Sequence, residues 1–129
     1  MFRNFVAIAI TTATIGITGI SAQALPLQAS GVQPQPDSRG NFHQVNWQSW
    51  RVVDRDPNGL NCRRGPGMNH QIVRRLSFLR PIAPASSNAV KLDKDRDPWV
   101  QVRLENNQTC FVRSHSAYIL PTWDFYQQS

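Results

Sequence analysis

The sequence predicts an all-β fold, a small barrel or sandwich of short antiparallel strands. Three observations predict it. No stretch sustains a helical period, and short runs of β-branched and aromatic residues recur between turn signals. Two turns, Asp56-Pro57-Asn58-Gly59 and Gly65-Pro66-Gly67, bracket a short half-buried strand in which Leu60 and Cys62 point one way and Asn61 and Arg63 the other. Farther on, Val100, Val102 and Leu104 share one face of a strand, with Trp99, Gln101 and Arg103 on the other.

The chain opens with the marks of an export signal. Arg3 supplies one positive charge, Phe5 to Ile20 are apolar, and Ala22-Gln23-Ala24 is the small-x-small pattern that a signal peptidase cuts after. The apolar run is shorter than the roughly 20 residues a spanning helix needs, and Gly16 and Gly19 weaken it as a helix. Residues 1–24 are therefore expected to be removed, leaving a secreted or periplasmic chain with no stable membrane insertion. The mature chain then carries 14 − 1 = 13 basic residues against 8 acidic, a formal net of +5. That charge suits an anionic surface or polymer, or is simply a solvated basic face. Export makes nucleic acid a poor target for it. Cys62 and Cys110 both survive the cut. In an oxidising compartment paired cysteines bridge, the alternative being two buried thiols.

Residues 25–46 are rich in Gln, Ser, Gly and Pro and show no period of 2 or 3.6, which predicts a flexible linker. The folded domain is expected over residues 47–122. Trp50 to Asp54 favours strand through its aromatic and β-branched residues. Leu60 to Arg63 is the bracketed strand, and Ile72 to Leu76 a third. Leu79 to Pro84 carries Pro81 and Pro84 and is expected at an edge or as an irregular strand. After the turn Ala85 to Asn88 comes a short strand, Ala89 to Leu92. Asp93 to Pro98 is a charged loop tip. Its alternating acids mimic the start of a calcium loop, but the Gly and distal Glu are missing and Lys94 and Arg96 oppose a cation, so a solvated loop is the expectation. Trp99 to Leu104 and Thr109 to Arg113 form a hairpin across Asn106-Asn107, because Asn tolerates the positive φ of a tight turn. Tyr118 to Leu120 closes the domain before Pro121. Residues 123–129 form an aromatic tail, expected either to cover an edge strand or to dock on a partner.

The order of these motifs resembles a bacterial SH3-like (Src-homology-3-type) domain. The residues that carry the resemblance are Leu60-Asn61-Cys62-Arg63-Arg64-Gly65-Pro66-Gly67, then Pro98 to Arg103, Cys110 to Arg113 and Tyr118 to Pro121. They span roughly Trp50 to Pro121. Cys62 stands at a usual aliphatic site and Cys110 at the usual Gly before the aromatic, a paired change that implies a disulfide between the first and penultimate strands of the family pattern. Phe111 replaces the usual Trp. The Gly usual in the turn after Leu76 is absent, with Leu79 or Arg80 there instead. The resemblance implies an SH3-like barrel and a non-catalytic module that binds peptides or cell-wall material.

Catalysis by a Cys–His pair needs a free thiolate, which the expected disulfide removes. Zinc is not expected, because the two Cys and His43, His70 and His115 lack the close paired spacing of structural sites. No cofactor motif is present in the sequence. Among the aromatics, Trp50, Phe111 and Tyr118 are expected in the core. Trp99 lies opposite the apolar face of its strand, and in SH3-like folds the corresponding Trp often lines a ligand groove. Trp99, with Arg63, Arg64 and Arg103 framing an anionic group, is therefore the expected ligand site. The ligand would be a peptide, a cell-wall component or an anionic glycan. The alternative is an interaction or inhibitory module docking on an exported protein.

Overall fold

The computed structural model describes residues 32–123. The expected signal segment and its cleavage site lie outside the described residues, as do residues 25–31 of the expected linker and the tail beyond Trp123. Among the described residues no helix is long and apolar enough to cross a membrane.

Eight strands follow in order: β1 Trp50–Val52, β2 Leu60–Arg63, β3 Ile72–Leu76, β4 Pro81–Pro84, β5 Val90–Leu92, β6 Pro98–Arg103, β7 Thr109–Arg113 and β8 Ile119–Pro121. All pairings are antiparallel and build one sheet in the order β3-β2-β7-β6-β4-β1-β8, with β5 added to β6. The all-β expectation holds, but the expected closed barrel does not. No pairing joins β3 to β8 among the described residues. Closure needs strands of matching length and stagger, and β8 offers three residues against five in β3.

The β6–β7 hairpin forms as its alternation requires. Val100 faces Val112 and Val102 faces Cys110 across the ladder, and all four are buried. Asn106 and Asn107 both take positive φ, 62° and 60°, the conformation expected of them. Because Cys110 and Val112 point into the core, Phe111 between them points out. It is only half-buried, so its expected core place is not realised. Tyr118 is also outside the core, at 36% exposure. Trp50 does lie in the core, together with Trp47, Val52, Leu76 and Ile119.

β4 departs from its expected edge position. It lies between β1 and β6, pairing through Pro81 and Ile82 on one side and through Ala83 and Pro84 on the other. Each half serves a different neighbour, so the missing proline N–H groups do not interrupt one continuous ladder.

The expected flexible linker does not extend to Asn46. Residues 37–47 fold as a strap against the end of β7. Phe42 is fully buried, and Val45 and Trp47 are nearly so. The Phe42 N–H donates to the Ser114 carbonyl at 2.9 Å, and the Ser114 hydroxyl donates back to the Phe42 carbonyl at 2.7 Å. The Phe42 ring meets Trp50 edge-on at 5.0 Å. Asp37 caps the turn that starts the strap. The Asn41 N–H at its carboxylate, with the His43 ring beside it, brings its pKa down to about 2. One isolated β-bridge, Asn41 to His115, and side chains rather than a continuous ladder anchor this segment, so no strand period marks it in the sequence.

The absent turn glycine has a structural counterpart. Leu79 takes a φ of 65° while its side chain stays 52% exposed. A left-handed conformation costs a non-glycine residue roughly 1–2 kcal/mol, and glycine returns about 0.5–1 kcal/mol of that through its freer unfolded chain. Leu79→Gly is expected to raise stability by about 0.5–1 kcal/mol, read as a higher midpoint in urea.

Candidate functional site

Cys62 on β2 and Cys110 on β7 are bridged, with Cα atoms 5.4 Å apart. Both are fully buried. The bridge leaves neither sulfur as a thiolate, so a cysteine nucleophile has no residue to act through. It fits an oxidising compartment. It also fixes the base of β2, from which Arg63 projects.

Beside that base is a cleft of about 500 Å³. Trp99, at the start of β6, lies in its wall. The β6 alternation sends Trp99 away from the Val100 and Val102 face, and the indole is not part of the main core cluster. It is nonetheless only 4% exposed, because the loop Asp93 to Asp97 folds over it. Asp93 organises that loop. One carboxylate oxygen accepts the N–H groups of Asp95 and Asp97 at 2.8 and 2.9 Å. The other accepts the Trp99 indole N–H at 2.8 Å. Burial pushes the Asp93 carboxyl up, but these three donors and the nearby Arg113 charge outweigh it and hold its pKa below the ordinary value. The carboxylate that the alternating acids offered to a cation thus acts as a cap for its own loop.

Arg63 lines the same cleft. Its guanidinium donates to the Met68 and His70 carbonyls at 3.2 and 3.0 Å, which ties down the Gly65-Pro66-Gly67 loop. Arg113 also lines the cleft, donating to the Pro98 carbonyl and to Asn41 and lying 3.3 Å from Asp97. Leu60, Met68 and Tyr118 give the wall its apolar part.

The four expected ligand residues are not brought together. Trp99 and Arg63 share the cleft, while Arg64 is exposed and outside its lining. Arg103 lines a different groove of about 680 Å³ along β4, where it donates to the Ala85 carbonyl at 2.9 Å. Residues on alternate positions of a strand share a face, but which depression each one meets depends on how the sheet coils. Sequence reasoning also missed Asp54 and Asp56, which precede β2 and line the cleft. Their signal was present, since Asp56 opens the turn to Gly59. The Asp54 carboxylate caps Asp56 and the Asp56 carboxylate caps Asn58.

No protein-family model, curated protein or solved structure matches the chain. Fold and site together define a disulfide-stapled, antiparallel all-β protein with a cleft of mixed polar and aromatic lining.

Proposed function

We propose that this chain is an exported, non-catalytic binding module of the bacterial SH3-like kind. Its ligand is a peptide or a peptide-bearing cell-wall component held in the Trp99 cleft. The cleft itself is the observation that carries this reading. It is concave, it has an indole and apolar side chains in its wall, and charged groups converge on it. That is the make-up of a ligand site. The export signal and cleavage after Ala24 belong to the same proposal, supported by the disulfide.

The test is binding to isolated cell-wall sacculi across a salt series. Trp99→Phe keeps a large ring but removes the indole N–H that Asp93 accepts. It is expected to reduce binding several-fold while thermal unfolding confirms that it folds. Trp99→Ala is expected to lose more. Binding of the unaltered protein is expected to survive moderate salt, because a specific groove is screened less than a diffuse charge. Binding that vanishes with salt and ignores both variants would sink the cleft reading. It would favour docking on an exported protein instead, for which Trp123, 57% exposed beside Trp47, is the observation in hand.

A further inference from the structure

The chain is basic, with 14 Lys and Arg against 8 Asp and Glu. The cleft is not. Five of those eight carboxylates line it, Asp54, Asp56, Asp93, Asp95 and Asp97, against the cations Arg63, Lys94 and Arg113. Its formal charge is therefore 3 − 5 = −2 on a protein of net +6.

The two arginines there are also engaged. Arg63 is held by two backbone carbonyls, and Arg113 by Pro98, Asn41 and Asp97. The carboxylates come from two separate loops, one before β2 and one before β6, which line the cleft together with Trp99 and Leu60. A concave wall of low polarizability with one sign of charge at its rim focuses the field on whatever enters.

From this charge complementarity we infer that the occupant of the cleft is a peptide carrying a side-chain ammonium or guanidinium flanked by apolar residues. The cation sits between the two aspartate loops, and its apolar neighbours lie on Leu60, Met68 and Tyr118. This rests on the peptide-binding reading above and narrows it. The net charge of the cleft disfavours an anionic glycan there, whatever the rest of the basic surface attracts.

The experiment uses the whole protein as its host matures it, labelled with ¹⁵N, and three matched peptides: acetyl-Gly-Leu-Lys-Leu-Gly-amide and its Gln and Glu counterparts. The Trp99 indole resonance reports occupancy of the cleft directly. The Lys peptide is expected to move it and to bind at least about tenfold more tightly than the Gln peptide, as several exposed charge pairs together provide. The Glu peptide is expected to leave it unmoved.

The triple variant Asp54→Asn, Asp56→Asn, Asp95→Asn keeps the side-chain oxygens that cap the Asp54 and Asp56 turns and should fold. It is expected to remove the preference for Lys over Gln. Lys94→Gln is expected to tighten the Lys peptide a few-fold by removing a competing cation.

Equal binding of the Lys and Gln peptides at Trp99 would overturn the charge inference and leave the peptide cleft standing. Tightest binding by the Glu peptide would do the same. Failure of all three to move Trp99 would overturn the inference together with the cleft reading. A Lys preference that survives in the triple variant would place the recognition elsewhere and overturn the inference.

Discussion

Replacing Cys62 and Cys110 together by alanine is expected to lower stability by about 4 kcal/mol on the chain-entropy account of a loop this long. The bridge closes a sequence separation of 48. The loop it closes contains β3 to β6, and with them the β4–β6 and β5–β6 pairings. In a domain of total stability about 5–15 kcal/mol, a loss of this size removes roughly a quarter to four-fifths of it. Urea unfolding of the oxidised protein, the reduced protein and the double variant measures it. The reduced protein and the variant should agree. Both should also show a steeper denaturant dependence, because their unfolded chains expose more surface. A loss below about 1 kcal/mol would mean that the unfolded chain retains the contacts the bridge enforces.

The second large effect is expected far from any ladder. Phe42→Ala should cost about 3–5 kcal/mol, the range for emptying a buried phenylalanine site. The ring is fully buried and packs edge-on against Trp50. Its own backbone is exchanged with Ser114 in both directions, so the cavity has little room to collapse. Val32→Ala is the control. Val32 is exposed, and its truncation should stay within about 0.5 kcal/mol. Were the segment a mere spacer, the two variants would behave alike.

That contrast marks the limit of what could be read in advance. β6 and β7 were legible because their apolar residues alternate and two asparagines stand where the turn needs positive φ. β3 was legible at both of its ends, Ile72 and Leu76. The strap was not, because Phe42, Val45 and Trp47 are spaced three and two apart, and only a partner at Ser114, 72 positions on, makes sense of them. The prolines of β4 argued for an edge, and only the division of its pairing between β1 and β6 shows why an interior place tolerates them.

The site was legible in part. Alternation placed Trp99 off the main core face, and the structure puts it in a cleft with Arg63. Its burial was missed, although Asp93 lies only six positions away, because nothing local says that a charged loop will close over an indole. Charge alone did not locate the cleft. The arginines that supply most of the positive charge suggested an anionic ligand, and Arg64 and Arg103 lie outside the cleft. The aspartates that decide the cleft's sign come from stretches read as turns and solvated loop.

The position of the bridge also governs how this molecule responds to mechanical load. A chain pulled at its two ends experiences tension along its backbone. The force then runs through β2, across the sulfur–sulfur bond and out along β7. The 48-residue separation between the cysteines is shunted out of the load path, withholding about 160 Å of extension at the reach of an extended chain. Even after the sheet gives way, the segment carrying Trp99 and the aspartates of its loop stays a closed ring. Refolding then starts from a tethered loop rather than a drawn-out strand.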